Sequence, residues 1–89
     1  MSYDERIHRY VDSHRSEVIA LLQRLVQTES MTGNEAKVAH LVADECRKDG
    51  LDVELIEPEP NRTSVVARYR GTESKPRIMW YSHYDTLPA

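Results

Sequence analysis

The sequence predicts an α/β chain in which two N-terminal helices precede three strands of an incomplete mixed sheet. Apolar residues recur at helical spacing through the first half of the chain, and the spacing then changes to that of strands. A short apolar run follows near the end. A chain of 89 residues is long enough for one small domain, whose hydrophobic core is marginal at this size.

The first predicted helix covers residues 4–27. Its apolar residues recur every three or four positions, with arginine and glutamate between them. Asp12 and Ser13 interrupt this pattern weakly and are suited to cap a second piece. The sequence therefore leaves open whether this region is one helix or two collinear pieces.

The second predicted helix covers residues 34–49 and has signals at both ends. Thr32 and Glu35 have the spacing of a capping box, in which the hydroxyl accepts from a first-turn N–H and the carboxylate accepts from the N–H of the cap. Gly50 suits the left-handed conformation that ends many helices. Thr32 is therefore interpreted as a cap residue, and Ser30 as part of the preceding turn.

Three strands are predicted after the second helix. Residues 53–56 form the first and end at Pro58, and residues 64–69 form the second and end at Gly71. Residues 78–81 are a continuous apolar run, which suits a strand buried on both faces. Such a strand needs a covering layer that this sequence does not supply, so an incomplete domain is expected.

The composition argues against several classes of function. The formal net charge is −3 with both signs mixed along the chain, so the basic stripe of a nucleic-acid binder is absent. The apolar stretches are far shorter than the roughly 20 residues that span a bilayer, and the polar N-terminus carries no secretory signal. Cys46 is the single cysteine, which excludes an internal disulfide. These features predict a cytoplasmic chain without nucleic-acid or membrane partners.

His83 and Asp85 are the candidate functional residues. They follow the predicted third strand, and strand ends are where α/β folds build their sites. A neutral imidazole is a good zinc ligand, and a carboxylate two residues along an extended chain can bond to the ring nitrogen that does not bind the metal. By themselves, the two residues also fit a strand-end histidine hydrogen-bonded to a carboxylate without any metal.

Residues 78–88 resemble the first metal-binding motif of a zinc peptidase and deacylase family. The family contains acetylornithine deacetylase, succinyl-diaminopimelate desuccinylase, aminoacylase, glutamate carboxypeptidase and several dipeptidases. Its familiar motif is an apolar strand followed by Gly-His-x-Asp-Val-Val-Pro. Ser82 stands where the family has glycine, and Thr86 and Leu87 stand where it has two valines. The resemblance extends back through most of the chain, over residues 22–35, 41–53 and 61–71.

The resemblance implies roles for both candidate residues. His83 would be a ligand of one zinc in a two-zinc centre, which cobalt or manganese can also occupy. Asp85 would be the catalytic carboxylate that orients His83. Residues 1–89 would be the N-terminal part of a metallopeptidase catalytic domain, truncated before the remaining ligands and the lid domain. No further cofactor is implied.

The resemblance also implies a function, the metal-dependent hydrolysis of amide bonds in small peptides or N-acyl amino acids. The parent enzyme would be a dipeptidase, a deacylase or a carboxypeptidase, with a homodimer formed through its lid domain as one implied assembly. A catalytic zinc takes three protein ligands, and this chain offers one. We therefore expect the isolated chain neither to bind zinc tightly nor to catalyse hydrolysis.

The alternative function is a non-catalytic α/β module that binds a protein partner. A reading frame that continues beyond Ala89 to an aspartate and a Glu-Glu pair would favour the enzyme. The other histidines, His8, His14 and His40, are interpreted as surface residues of the predicted helices. Cys46 is interpreted as a small residue that faces the core.

Overall fold

A computed structural model describes residues 2–75 and 77–87 of the chain. Its elements, in chain order, are the helices α1 (Tyr3–Ser13), α2 (Arg15–Gln27) and α3 (Ala36–Lys48) and the strands β1 (Asp52–Ile56) and β2 (Ser64–Arg68). The predicted α/β class is confirmed. The predicted three strands are wrong, because the described residues form two strands, and the three helices arise because the first predicted helix is divided into two pieces.

A single residue, His14, separates α1 from α2. The Ser13 hydroxyl donates to the Tyr10 carbonyl at 2.8 Å, and Nδ1 of His14 lies 2.7 Å from the same oxygen. Two side chains thus share this carbonyl with the backbone N–H of His14, which donates to it at 3.1 Å. The two-piece alternative is confirmed, but α2 starts after His14, without a side-chain cap, and not at a cap formed by Asp12 and Ser13.

The helices α1 and α2 bury none of their side chains in the described structure. Ile7 and Leu22, both on the predicted apolar face, are 59% and 58% exposed. An ion pair between Arg24 and Glu45 joins α2 to α3. The Arg24 guanidinium is the main cause of the lowered pKa of the Glu45 carboxyl, and Lys48 adds to it. Over the described residues, no helix has the length and apolar character needed to cross a bilayer.

The helix α3 forms the small core by packing on both strands. Its buried residues are Val38, Ala39 and Ala43. At its C-terminal end, Gly50 has a φ of 81°, and the N–H of Leu51 donates to the carbonyl of Cys46 at 3.0 Å. This geometry is a Schellman motif, so the predicted ending of the helix is confirmed.

The predicted capping box at the start of α3 is wrong. The helix begins at Ala36, and its N-terminal cap residue, Glu35, makes no side-chain cap bond. The Glu35 carboxylate accepts instead from the N–H of Gly33 at 3.0 Å. The Thr32 hydroxyl is directed towards Asp85, which lies 53 residues further along the chain. A charged acceptor replaces the helix N–H as the partner of this hydroxyl.

The two strands form an antiparallel pair, and α3 covers one of its faces. The register places Asp52 opposite Arg68 and Ile56 opposite Ser64. Along β1, burial alternates from residue to residue, as expected for a strand with one covered face. Both strands therefore lie within about one residue of their predicted positions.

The predicted third strand is absent from the described structure. Residues 77–81 belong to no strand there, and Trp80 and Tyr81 are each 91% exposed. Their apolar character predicts burial, but a strand also needs a neighbouring backbone with which to bond. Neither β1 nor β2 supplies that neighbour, so the predicted mixed sheet reduces to an antiparallel pair.

Candidate functional site

The segment that carries His83 is fixed beside the turn that precedes α3. The N–H of Thr86 donates to the carbonyl of Ser30 at 2.8 Å, and the N–H of Thr32 donates to the carbonyl of Thr86 at 3.0 Å. These two bonds form a parallel bridge between Met31 and Thr86. The hydroxyls of Ser30 and Thr86 lie 3.1 Å apart and add a side-chain bond to the same contact.

Tyr84 holds the segment from the other side. Its hydroxyl donates a hydrogen bond to the backbone carbonyl of Thr63, the residue that precedes β2. Burial raises the pKa of the Tyr84 phenol, and the nearby negative charge of Glu35 raises it further. This bond anchors the segment at the residue between His83 and Asp85.

His83 and Asp85 are in direct contact. Nδ1 of His83 lies 3.1 Å from Oδ1 of Asp85. An ionised carboxylate can only accept, so Nδ1 must carry the proton that this bond uses. The His83 side chain is 80% exposed, and its Nε2 makes no hydrogen bond within the described residues. This arrangement presents the Nε2 lone pair to solvent, as a metal-ligating histidine requires.

The second oxygen of Asp85 has its own partner. The Thr32 hydroxyl donates to Oδ2 of Asp85 at 3.1 Å. Asp85 is 38% exposed, less than half as much as His83. Sequence reasoning missed this role of Thr32, because its spacing to Glu35 fits a capping box and nothing local indicates a partner so far along the chain.

An ion pair between the buried Glu35 and the exposed Arg62 supports the turn that carries Thr32. The Glu35 side chain is 5% exposed, and its Oε2 lies 3.1 Å from Nε of Arg62. The Arg62 N–H is not aligned with this oxygen, so the contact is an ion pair without a directed hydrogen bond. The backbone N–H of Glu35 also donates to the carbonyl of Asn61 at 2.8 Å. The turn before α3 is therefore joined to the turn between β1 and β2.

The described residues form no cluster of side chains that could hold a metal ion by itself. Within residues 2–75 and 77–87, no three or more histidine, cysteine, aspartate or glutamate side chains are grouped so that they could hold a metal ion. His83 fits zinc in the chemistry of its donor atom and in its carboxylate partner. Its predicted metal role, and the predicted catalytic role of Asp85, remain predictions.

Among the other candidate residues, the predicted surface positions of His8 and His40 are confirmed, whereas His14 and Cys46 are less clearly placed than predicted. His8 and His40 are exposed, and His14 is half-buried with its ring stacked on Tyr10. Cys46 is half-buried. Burial raises the pKa of its thiol, and the charges of Asp49 and Glu45 raise it further. A raised pKa leaves little thiolate at neutral pH, which argues against a nucleophile.

Two known proteins are similar to most of this chain. A succinyl-diaminopimelate desuccinylase of Hydrogenovibrio crunogenus is 37% identical over 73 residues, which are 82% of this chain and 18% of that protein. A peptidase M20 domain-containing protein of Schizosaccharomyces pombe is 32% identical over 72 residues, which are 79% of this chain and 18% of that protein. No family model and no solved structure matches.

The two similarities support a relationship to the M20 peptidases at a coarse level. The chain spans about a fifth of the length of the curated relatives it matches. The functions that the relatives' names state therefore belong to proteins several times longer than this chain.

Proposed function

We propose that this chain is a segment of a metal-dependent hydrolase that cleaves amide bonds of small peptides or N-acyl amino acids. The observation that carries the proposal is the exposed imidazole of His83, whose Nδ1 faces the Asp85 carboxylate at 3.1 Å. The similarity to a desuccinylase and to an M20 peptidase domain protein supports the same chemistry. Deacylases, dipeptidases and carboxypeptidases all fall within this proposal.

Each of the two residues has a distinct role in the proposed site. His83 binds zinc, or cobalt or manganese in its place, through Nε2. Asp85 accepts from Nδ1–H, which fixes the tautomer and makes the imidazole a better ligand. A pair of metal ions held at such a site would supply Lewis acidity for polarising the scissile carbonyl.

We expect the isolated chain to be inactive. A catalytic zinc takes three protein ligands and keeps one open position. The described residues offer one ligand, so the further ligands belong to other parts of the proposed parent enzyme. In that setting the substrate is a small peptide or an N-acyl amino acid, and no nucleic acid or membrane takes part.

The non-catalytic alternative draws on the exposed apolar residues 78–81. An exposed apolar patch of this kind marks a surface that another polypeptide covers. A partner protein and the remainder of a larger catalytic domain would cover it equally well. The exposure therefore does not favour the binding module, whereas the two similarities favour the hydrolase.

A zinc titration followed by NMR tests the assignment of His83. The chain contains four histidines, so three act as internal controls. His14 is the sharpest control, because its Nδ1 also faces oxygens, but those of the Tyr10 carbonyl at 2.7 Å and the Ser13 hydroxyl at 2.9 Å instead of a carboxylate. We expect the ring signals of His83 to shift at the lowest zinc concentration, with an affinity weaker than about 1 μM because one ligand is present.

Two variants complete the titration. His83→Ala should abolish the first zinc response, and Asp85→Asn should weaken it by roughly tenfold or more, in line with losses of carboxylate partners at metal sites. A response of His8, His14 or His40 at lower zinc concentrations than His83 would remove the basis of the proposal. A one-to-one site of micromolar affinity or tighter would overturn the view that this chain holds a single ligand.

A further inference from the structure

We infer that Thr32 is a positioning residue, whose hydroxyl fixes the Asp85 carboxylate so that it holds His83 in the Nδ1–H tautomer. The contact itself is seen in the structure, and its chemical meaning rests on the proposed function. Thr32 belongs to the turn before α3, whereas Asp85 and His83 belong to the segment after residue 81. Thr32, which lies 53 residues before Asp85 in the sequence, therefore has a role in the candidate site.

The two carboxylate oxygens of Asp85 are bonded to different parts of the chain. Oδ1 lies 3.1 Å from Nδ1 of His83, and Oδ2 accepts from the Thr32 hydroxyl at 3.1 Å. The terminal torsion of an aspartate is broad, so a carboxylate bonded at one oxygen alone can rotate. Bonds at both oxygens restrict that rotation and keep Oδ1 facing the imidazole.

Thr32 is well placed to impose this restriction, because its own backbone is fixed. Its N–H donates to the carbonyl of Thr86 at 3.0 Å. The next residue, Gly33, has a φ of 93° and donates its N–H to the buried carboxylate of Glu35. The turn therefore sets the position of the Thr32 hydroxyl independently of its bond to the Asp85 carboxylate.

Two other partners for the Thr32 hydroxyl are less favourable. The helix-cap role is excluded, since α3 receives no side-chain cap bond. The carbonyl of Thr86 lies 3.4 Å from the Thr32 hydroxyl, further than the carboxylate oxygen at 3.1 Å. The shorter bond to an ionised acceptor is also the stronger one. Asp85 is therefore the main partner.

The experiment measures the tautomer of His83 directly and needs no metal. Long-range proton–nitrogen NMR of the labelled chain distinguishes Nδ1–H from Nε2–H in each histidine. The spectra are recorded at a pH of about 8.5, which lies roughly two pH units above the pKa of about 6.5 of histidine in model peptides. In the native chain we expect His83 in the Nδ1–H form, which is the minor form of a free neutral imidazole. His14 serves as a reference, because its Nδ1 faces the Tyr10 carbonyl and the Ser13 hydroxyl, neither of which the substitutions touch.

Three substitutions separate the hydroxyl of Thr32 from its surroundings. Thr32→Val keeps the shape of the side chain and the backbone hydrogen bonds, but it removes the hydroxyl. We expect the ratio of Nδ1–H to Nε2–H in His83 to fall roughly three- to tenfold in this variant. Thr32→Ser keeps the hydroxyl and should restore the native ratio. Ser30→Ala removes the neighbouring hydroxyl that bonds to Thr86, and it should leave the ratio unchanged.

The inference is overturned if His83 of the native chain shows the tautomer ratio of a free imidazole. It is also overturned by an unchanged ratio in Thr32→Val while the Thr86 amide stays protected from exchange. If the Thr86 amide loses its protection in Thr32→Val, a second measurement compares the exchange rate of the Thr32 hydroxyl proton in the native chain and in Asp85→Ala. We expect faster exchange in Asp85→Ala, and equal rates overturn the inference. No metal is present in these measurements, so a failed zinc titration and a failed tautomer test remain distinguishable.

Discussion

The Tyr84 hydroxyl donates a hydrogen bond to the backbone carbonyl of Thr63. This bond joins the segment that carries His83 to the turn that leads into β2. Thr63 is itself buried, with 5% of its surface exposed, and its hydroxyl donates to the Glu57 carboxylate at 2.9 Å. The position of the candidate site therefore depends on the sheet as well as on the turn before α3.

Tyr84→Phe should destabilise the chain by about 1 kcal/mol, because it removes one hydrogen bond and leaves a buried carbonyl without its donor. Urea unfolding monitored by circular dichroism measures this change. Tyr81→Phe is the matched control. Because Tyr81 is 91% exposed, this variant should unfold as the native chain does. Equal losses in both variants would contradict the structural role of the Tyr84 hydroxyl.

The raised pKa of Tyr84 predicts a loss of stability in alkali. Burial is the main cause, and the charge of Glu35 is the second. The folded state holds the phenolic proton more tightly than the unfolded chain, whose tyrosine pKa is about 10. The contribution of Tyr84 is therefore present below about pH 10 and is lost as the pH rises from there through the folded-state pKa.

Comparing the unfolding of the native chain and Tyr84→Phe across this range checks the alkaline prediction. The stability difference between them should shrink above about pH 10, as the native chain loses the contribution that the variant lacks. A difference that stays constant with pH would show that Tyr84 titrates alike in the folded and unfolded states.

The ion pair between α2 and α3 predicts a change in the titration of Glu45. Arg24→Gln removes the main cause of the lowered Glu45 pKa, while Lys48 remains 3.2 Å from the carboxylate. Carboxyl NMR should show the Glu45 pKa move up towards that of an ordinary glutamate. Arg15→Gln is the control, since Arg15 pairs with Asp12 and should leave Glu45 unaffected.

The sign of the pH effect follows from the direction of the Glu45 shift. A carboxyl with a lowered folded-state pKa stabilises the fold above its unfolded pKa, and this contribution is lost as the pH falls through the folded value. The native chain should therefore lose more stability than Arg24→Gln on acidification. Identical acid sensitivity in the two proteins would show that the pair does not hold α2 against α3 in solution.

Gly50→Ala should destabilise the chain by roughly 1 kcal/mol, because a residue with a side chain is strained at the left-handed φ of 81°. The strain is purely conformational, since an added methyl group would meet nothing within 4 Å. Gly71→Ala is the control, because a methyl group added at Gly71 would also meet nothing within 4 Å and Gly71 has no left-handed φ. Thermal unfolding should separate the two variants, and equal melting temperatures would argue against the Schellman motif.

The sequence predicted the features that depend on neighbouring residues. The end of α3 at Gly50, the two strands around Pro58, and the contact between His83 and Asp85 all arise from residues a few positions apart. Local spacing and backbone preference decide such features, so one sequence contains enough information to predict them.

The features that the sequence mispredicted depend on distant partners. The third strand was expected from the apolar run at residues 78–81, but a strand forms only where another backbone is available for pairing. The Thr32 hydroxyl was expected to cap α3, but the charged oxygen of Asp85 is its partner in the folded chain. In both cases the deciding atom lies on a part of the chain that local patterns do not reveal.

Trp80 is the single tryptophan of the chain, and it lies three residues before His83 with 91% of its surface exposed. An indole in water emits at longer wavelength than one enclosed by protein. The chain therefore contains its own fluorescent reporter of whether residues 78–81 become covered. A blue shift on mixing with another polypeptide would register that covering without any label, at a position adjacent to the candidate ligand.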